Sequence, residues 1–169
     1  MRMTVIGCGY LGAVHAACMA ALGHDVVGID IDHDKVQALA SGRSPFHEPG
    51  LDEILAQGTA SGRLRFTAEP TAADLRGRGL HFITVGTPQA AGEGSADLSH
   101  LMCAVSMLVR LLDPDEGAVV VGKSTVPVGT AQRVEEALAP AGASMPAPVA
   151  SASSVEETSG EGETAVLIL

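Results

Sequence analysis

Between Met3 and Asp32 the sequence runs MTVIGCGYLGAVHAACMAALGHDVVGIDID. This is the pattern of an apolar strand, a glycine turn, an alanine-rich helix and a second strand ending on acids. Gly7, Gly9 and Gly12 form a G-x-G-x-x-G that leaves the strand and opens the helix directly. In that setting Gly7 makes the tight turn, Gly9 lets backbone approach a pyrophosphate, and Gly12 lets helix and strand pack without a side chain between them. The pyrophosphate would rest on the free N–H groups and positive dipole end of a helix starting near Leu11.

The chain holds 20 glycines, so the bare spacing could arise by chance. Its position between strand and helix, with Asp30 at the tip of the second strand, makes it specific. An acid about 20 residues beyond the turn accepts hydrogen bonds from a ribose diol and repels a 2′-phosphate, which points to NAD rather than NADP.

At 169 residues the chain suits one domain with a real core. Aromatic residues are only 2% against 46% hydrophobic, so the core is built from Val, Leu, Ile and Ala, as in helices packed on a parallel sheet. A net charge of -10, with ten basic residues scattered singly, argues against a nucleic-acid surface. No apolar run of about 18 residues suggests a membrane span. Arg2 before an apolar run resembles a secretory signal, but the glycine spacing and the strand pattern resuming at Asp25 fit strand-turn-helix better.

The three cysteines, Cys8, Cys18 and Cys103, form no close pair, so neither a disulfide framework nor a zinc site is expected, and a reducing cytosol is the simplest setting. Cys8 at a helix N-terminus is either a stabilised thiolate or, the preferred reading, a small residue packed beneath the turn. The six histidines are too dispersed for metal ligation and read as surface or structural.

Further along, Asp32–Leu39 carries an N-cap acid and helical apolar spacing. Lys35 stands where it could reach the adenosine ribose. SGRSPFHEPG (41–50) reads as loop, Leu51–Ala56 as helix, and Arg63–Thr67 as an outer strand. Glu69–Arg76 suggests a short helix and Leu80–Val85 a buried strand, which runs into Gly86–Pro88 and puts Thr87 at its carboxyl end. The loop Gln89–Ala96 is Gly-rich and mobile-looking. Asp97–Leu112 has helical spacing. Gly117–Gly122 is a central strand that leads through KSTVPVGT (123–130), with Thr125 on the same carboxyl edge, into a helix ending at Leu138. Alternating strands and helices define an α/β chain, a Rossmann-type doubly wound parallel sheet over residues 1–139. Ligands bind such sheets along the carboxyl edge. Residues 140–169 lack Lys, Arg, Phe and Tyr and read as a low-complexity tail with poor prospects of ordering; Ala165–Leu169 would add a short strand if it finds an edge.

GCGYLG with the following helix and strand, SPFHEPGL, SGRLRFT, FITVGTP, GSADLS and KSTVPVGT, in that order, resemble the N-terminal NAD-binding domain of the UDP-glucose/GDP-mannose dehydrogenase family, in its UDP-glucose 6-dehydrogenase flavour. The resemblance covers roughly residues 1 to 139. It implies NAD-dependent oxidation of a nucleotide-sugar C6 alcohol to a carboxylate in two hydride transfers, through a cysteine-bound thiohemiacetal and thioester. It also implies that Gly7, Gly9, Tyr10, Leu11 and Gly12 form the pyrophosphate turn, that Asp30 and Lys35 hold the adenosine ribose, that Thr87 borders the nicotinamide half, and that Thr125 lies near the reacting centre as an auxiliary catalytic residue.

Where the family continues with S-N-P-E-F-L-R-E-G, this sequence reads VASASSVEETSGEG (149–162). The G-G-x-C nucleophile motif and the nucleotide-sugar domain have no counterpart, and none of the three cysteines stands in a matching context. The expectation is a truncated or frame-shifted dehydrogenase, inactive alone, that binds NAD and meets a UDP-sugar only if a complementary domain is supplied. The alternative is a stand-alone NAD-binding module acting with a partner subunit.

Overall fold

The computed structural model describes residues 1–89, 96–139 and, for the backbone alone, 165–168. Six parallel strands form one sheet: β1 (Arg2–Ile6), β2 (Asp25–Ile29), β3 (Leu64–Thr67), β4 (Leu80–Ile83), β5 (Val119–Gly122) and β6 (Ala165–Ile168). Their spatial order is β3-β2-β1-β4-β5-β6. The chain winds outward from β1 to β3, then returns to lay β4 on the other side of β1. That reversal opens a crevice at the carboxyl ends of β1 and β4. The register Ile6↔Ile29 on one side and Ile6↔Ile83 on the other ends three strands at one level. β6 adds to the outer edge of β5, the short strand expected of the last residues. Of the tail expected over residues 140–169, all but 165–168 lies outside the described residues.

β1 and β2 are buried on both faces because their residues alternate between two cores. Met3 and Val5 meet Ala13, Ala16, Ala17 and Leu55 on one face. Ile6, Val27 and Ile29 meet Leu101, Leu108, Val134 and Leu138 on the other. Helices α1 (Tyr10–Ala21), α2 (His33–Ala40) and α3 (Leu51–Ala60) belong to the first layer. The short α4 (Ala72–Leu75), with α5 (Ser99–Leu111) and α6 (Thr130–Leu138), covers the second. Alanine at 13, 16, 17 and 20 makes the buried stripe of α1 flat enough for the helix to lie close on the sheet.

Helix starts follow local chemistry. Asp32 caps α2 by accepting the Lys35 N–H, as its acid in front of the apolar spacing implies. α4 is shorter than the expected 69–76 because Thr71 is extended and forms a capping box with Asp74, so the helix begins only after Pro70. Gln89 and Ala96 close the expected mobile loop with an isolated antiparallel bridge; the residues between them lie outside the described set. Among the described residues no helix is long and apolar enough to cross a membrane.

Candidate functional site

The glycine turn sits in the crevice between β1 and β4. Gly7 has φ +92°, a left-handed conformation that side chains rarely adopt, and a Cβ there would lie 2.8 Å from Val85. A Cβ on Gly12 would fall on the Gly7 carbonyl and 2.6 Å from Thr84 Oγ1, so Gly12 is required by close packing of α1 on the turn. Gly9 differs: among the described residues a Cβ there would meet nothing within 4 Å, so none of them needs that side chain to be absent. The bare position lines a crevice of about 550 Å³ together with Gly7, Asp30, Lys35, Thr84 and Gly86. Beside it α1 starts with no side-chain cap and no acid in its first turn, which leaves its N–H groups and dipole for an anion. The residues present thus fit a pyrophosphate.

Asp30 ends β2 on the crevice wall, 7% exposed. Its Oδ2 accepts the Cys8 N–H of the turn at 2.7 Å, and its Oδ1 accepts the Asp32 N–H at 3.0 Å. Lys35 Nζ donates to both oxygens at 3.0 Å. Lys35 therefore lies against the acid rather than free beside it. Ile31, 86% exposed, follows at the mouth.

Cys8 is fully buried, and desolvation, with the Asp30 charge second, pushes its thiol up to about 12. The packed reading of Cys8 holds, and a thiolate at the helix end is excluded. Tyr10 and Leu11 are half exposed at the start of α1. The Tyr10 hydroxyl donates to Glu48 Oε2 at 2.5 Å, and its ring meets Phe46 edge-on at 6.2 Å, which pins the 41–50 loop beside the turn. That bond and the Glu48 charge push the phenol above its ordinary value.

Thr87 and Thr125 lie outside the lining of this crevice and meet each other: Thr87 Oγ1 donates to the Thr125 carbonyl at 2.7 Å. Two hydroxyls on this edge lie inside FITVGTP and KSTVPVGT without being singled out by them. Thr84 donates to the Gly7 carbonyl at 2.6 Å and to the Ile6 carbonyl at 3.1 Å, and Ser124 to the Val85 carbonyl at 2.6 Å. From the second helical layer His100, Cys103 and Met107 face the crevice. Their signal in the sequence was available as one face of α5, where 100, 103 and 107 follow helical spacing.

The sheet order, the left-handed turn, the uncapped helix and the acid at the tip of β2 define a dinucleotide-binding domain of the doubly wound class. Residues 1–156 match the model of the UDP-glucose/GDP-mannose dehydrogenase family, NAD binding domain. The chain belongs to that family, as its NAD-binding domain. It is similar to the UDP-glucose 6-dehydrogenase of Rhizobium meliloti (strain 1021), 47% identical over 135 residues that make up 80% of this chain and 30% of that protein. Among solved structures it resembles a UDP-glucose dehydrogenase from Pyrobaculum islandicum, with TM-score 0.76 and 42% identity over 83% of this chain and 33% of that one. It also resembles a ternary complex of GDP-mannose dehydrogenase from Pseudomonas aeruginosa, with TM-score 0.79 and 34% identity over 84% and 33%. The chain spans about 30% of the length of the curated relatives it matches.

Proposed function

We propose that this chain is the cofactor half of a UDP-glucose 6-dehydrogenase-type oxidoreductase, and that it binds NAD along the carboxyl edge of its sheet. The observation that carries the proposal is Gly9, a bare backbone position that packing against the described residues does not require, facing the crevice beside an uncapped helix end. Gly7, Gly9, Tyr10 and Leu11 present backbone to the pyrophosphate, and Gly12 keeps α1 close enough to do so. Asp30 accepts the adenosine ribose hydroxyls, and Lys35, bonded to both of its oxygens, holds that carboxylate in place. Thr87 and Thr125, joined by their hydrogen bond, border the nicotinamide end, with Thr125 beside the reacting centre. When bound, NAD supplies the hydride acceptor for oxidation of a nucleotide-sugar alcohol.

Covalent catalysis needs an activated thiol beside a base. Cys8 is buried with its thiol pushed up to about 12, so it does not serve. None of Cys8, Cys18 and Cys103 stands in the G-G-x-C context that the resemblance assigns to the nucleophile, so we propose that this chain alone binds NAD without turnover and that a UDP-sugar engages only when a complementary domain is present. Three free thiols support a reducing compartment, the cytosol.

Calorimetric titration with NAD, then with UDP-glucose, followed by an NADH absorbance assay, tests this. NAD binding without turnover is the expected result. NADH production would overthrow the absence of covalent chemistry, and no heat with NAD would sink the cofactor reading.

A further inference from the structure

The two parts of the site assigned above to opposite ends of the cofactor are joined by buried hydroxyls. Thr84, 8% exposed, follows β4 and donates across to the carbonyls of Gly7 and Ile6. Ser124, 8% exposed, follows β5 and donates to the carbonyl of Val85, next to Thr84 in the chain. Thr87 then returns a bond to the carbonyl of Thr125, next to Ser124. Four hydroxyl-to-carbonyl bonds, two of them from Thr84, thus stitch the glycine turn to the end of β4, and the end of β4 to the segment after β5. They lie at and just past the ends of the strand ladders, Ile6↔Ile83 and Ile83↔Gly122, where the backbone bonds from Thr84 N–H to the Ile6 carbonyl and from Lys123 N–H to the Ile83 carbonyl close the pairing. The Gly7 carbonyl is also closed in by α1, since a Cβ on Gly12 would strike it, so Thr84 is its donor in a place that packing otherwise seals. A buried carbonyl left without a donor is costly, which ties the hydroxyl to this one geometry of the turn.

We propose that Thr84 and Ser124 are positioning residues for cofactor binding, which fix the spacing between the pyrophosphate turn and the Thr87–Thr125 pair. The inference rests on the NAD reading given above. Neither residue needs to touch the cofactor. Thr84 acts through the Gly7 carbonyl on the backbone that leads to Gly9, and Ser124 acts through Val85 on the backbone that leads to Gly86 and Thr87.

The test is calorimetry on the full chain with NAD, ADP and adenosine, with melting temperature followed in parallel. Thr84→Val keeps shape and removes the hydroxyl. It should weaken NAD and ADP by roughly fivefold to tenfold and leave adenosine, which reaches only the Asp30 side, within about twofold of wild type. Thr84→Ser should restore NAD. Ser124→Ala should weaken NAD but not ADP, since its bond lies on the nicotinamide side. If Thr84→Val does not fold, Thr84→Cys takes its place with the same expectations. Unchanged NAD affinity in the Thr84 and Ser124 variants overturns the inference, and so does loss of NAD and adenosine in equal proportion, which is the mark of a merely structural role. A wild-type chain that binds no NAD overturns the proposed function itself. Wild-type binding with unaffected variants overturns this inference alone.

Discussion

At its amino edge the sheet is closed by a buried guanidinium spent on internal acceptors, and at its carboxyl edge by a carboxylate and hydroxyls beside a helix end without a side-chain cap. Arg78, with its side chain 3% exposed, spends its guanidinium inside the protein. It donates to both faces of Asp25 through the carboxylate at 3.1 Å and the carbonyl at 2.9 Å, and to the Asp74 carbonyl at 2.7 Å. Burial lowers the Arg78 pKa and the Asp25 partner opposes that shift. The opposite edge holds the turn through the Thr84 hydroxyl, which donates to the Gly7 and Ile6 carbonyls, and through Asp30, which accepts the Cys8 N–H, and leaves the first N–H groups of α1 without a side-chain cap. A helix end with nothing of its own to bind is available to a ligand, whereas a guanidinium surrounded by acceptors is not. The difference separates an end of the sheet built for stability from an end built for binding.

The strongest way to break the contrast is Gly12→Ala. The added Cβ falls on the Gly7 carbonyl, so α1 must move off the turn. We expect a loss of about 4 kcal/mol in chemical denaturation and of measurable NAD binding together. Stability retained within about 1 kcal/mol would show that the turn tolerates displacement.

Next in size is a pH effect from the inner face of the sheet. His81 is fully buried against Thr4, whose Oγ1 shares a 2.8 Å hydrogen bond with Nδ1. Burial pushes it from 6.5 down to about 4, and His15 shifts in the same direction for the same main reason. Between those values the unfolded chain takes up a proton that the folded chain does not. Stability from neutral His81 is therefore complete above the unfolded value and is lost as pH falls from 6.5 towards 4, by roughly 3 kcal/mol in all. Denaturation midpoints across that range should show the slope in wild type and mostly lose it in His81→Gln. A flat wild-type profile would remove His81 as its source.

Asp25→Ala leaves the buried guanidinium with carbonyls only. It should cost about 2 kcal/mol of stability without changing the NAD affinity of the folded fraction. A parallel loss of affinity would mean that the two edges are not independent. The smallest effect sharpens the contrast at the other edge: Asp30→Asn should weaken NAD about tenfold, or 1.4 kcal/mol, and also lower the melting temperature slightly because Cys8 and Lys35 lose a charged acceptor. Unchanged affinity would remove Asp30 from the ribose site.

The sheet and the turn could be read from the sequence because they depend on period and spacing. Alternating apolar runs, glycines at 7, 9 and 12, Asp32 ahead of α2 and Gly129 ahead of α6 all state their roles locally. Thr84 and Ser124 do not. A threonine at the end of LHFITV looks like any strand threonine until β1 is placed beside it, and the Gly7 carbonyl it serves lies 77 residues away in sequence. Arg78 in GRG looks like a surface base, yet only the pairing of β1, β2 and β4 brings Asp25 around it. Reading the basic residues as scattered missed Arg78 as an interior clamp, while the reading of the histidines as surface or structural holds for exposed His100 and buried His81 and leaves unsaid only that His100 faces the crevice. Local signals report backbone conformation, while long-range polar partners need the topology first.

With Asp30 in the ribose role proposed for it, the bond from the Cys8 N–H to Asp30 Oδ2 joins cofactor choice and turn geometry in one carboxylate. A redesign of this domain toward a 2′-phosphorylated dinucleotide could not simply exchange the acid for a base. It would have to give the Cys8 N–H a new acceptor and find another partner for Lys35. Discrimination between the two cofactors is in that sense protected by a folding requirement: a single replacement at position 30 that relaxed selectivity would also loosen the turn on which either dinucleotide depends.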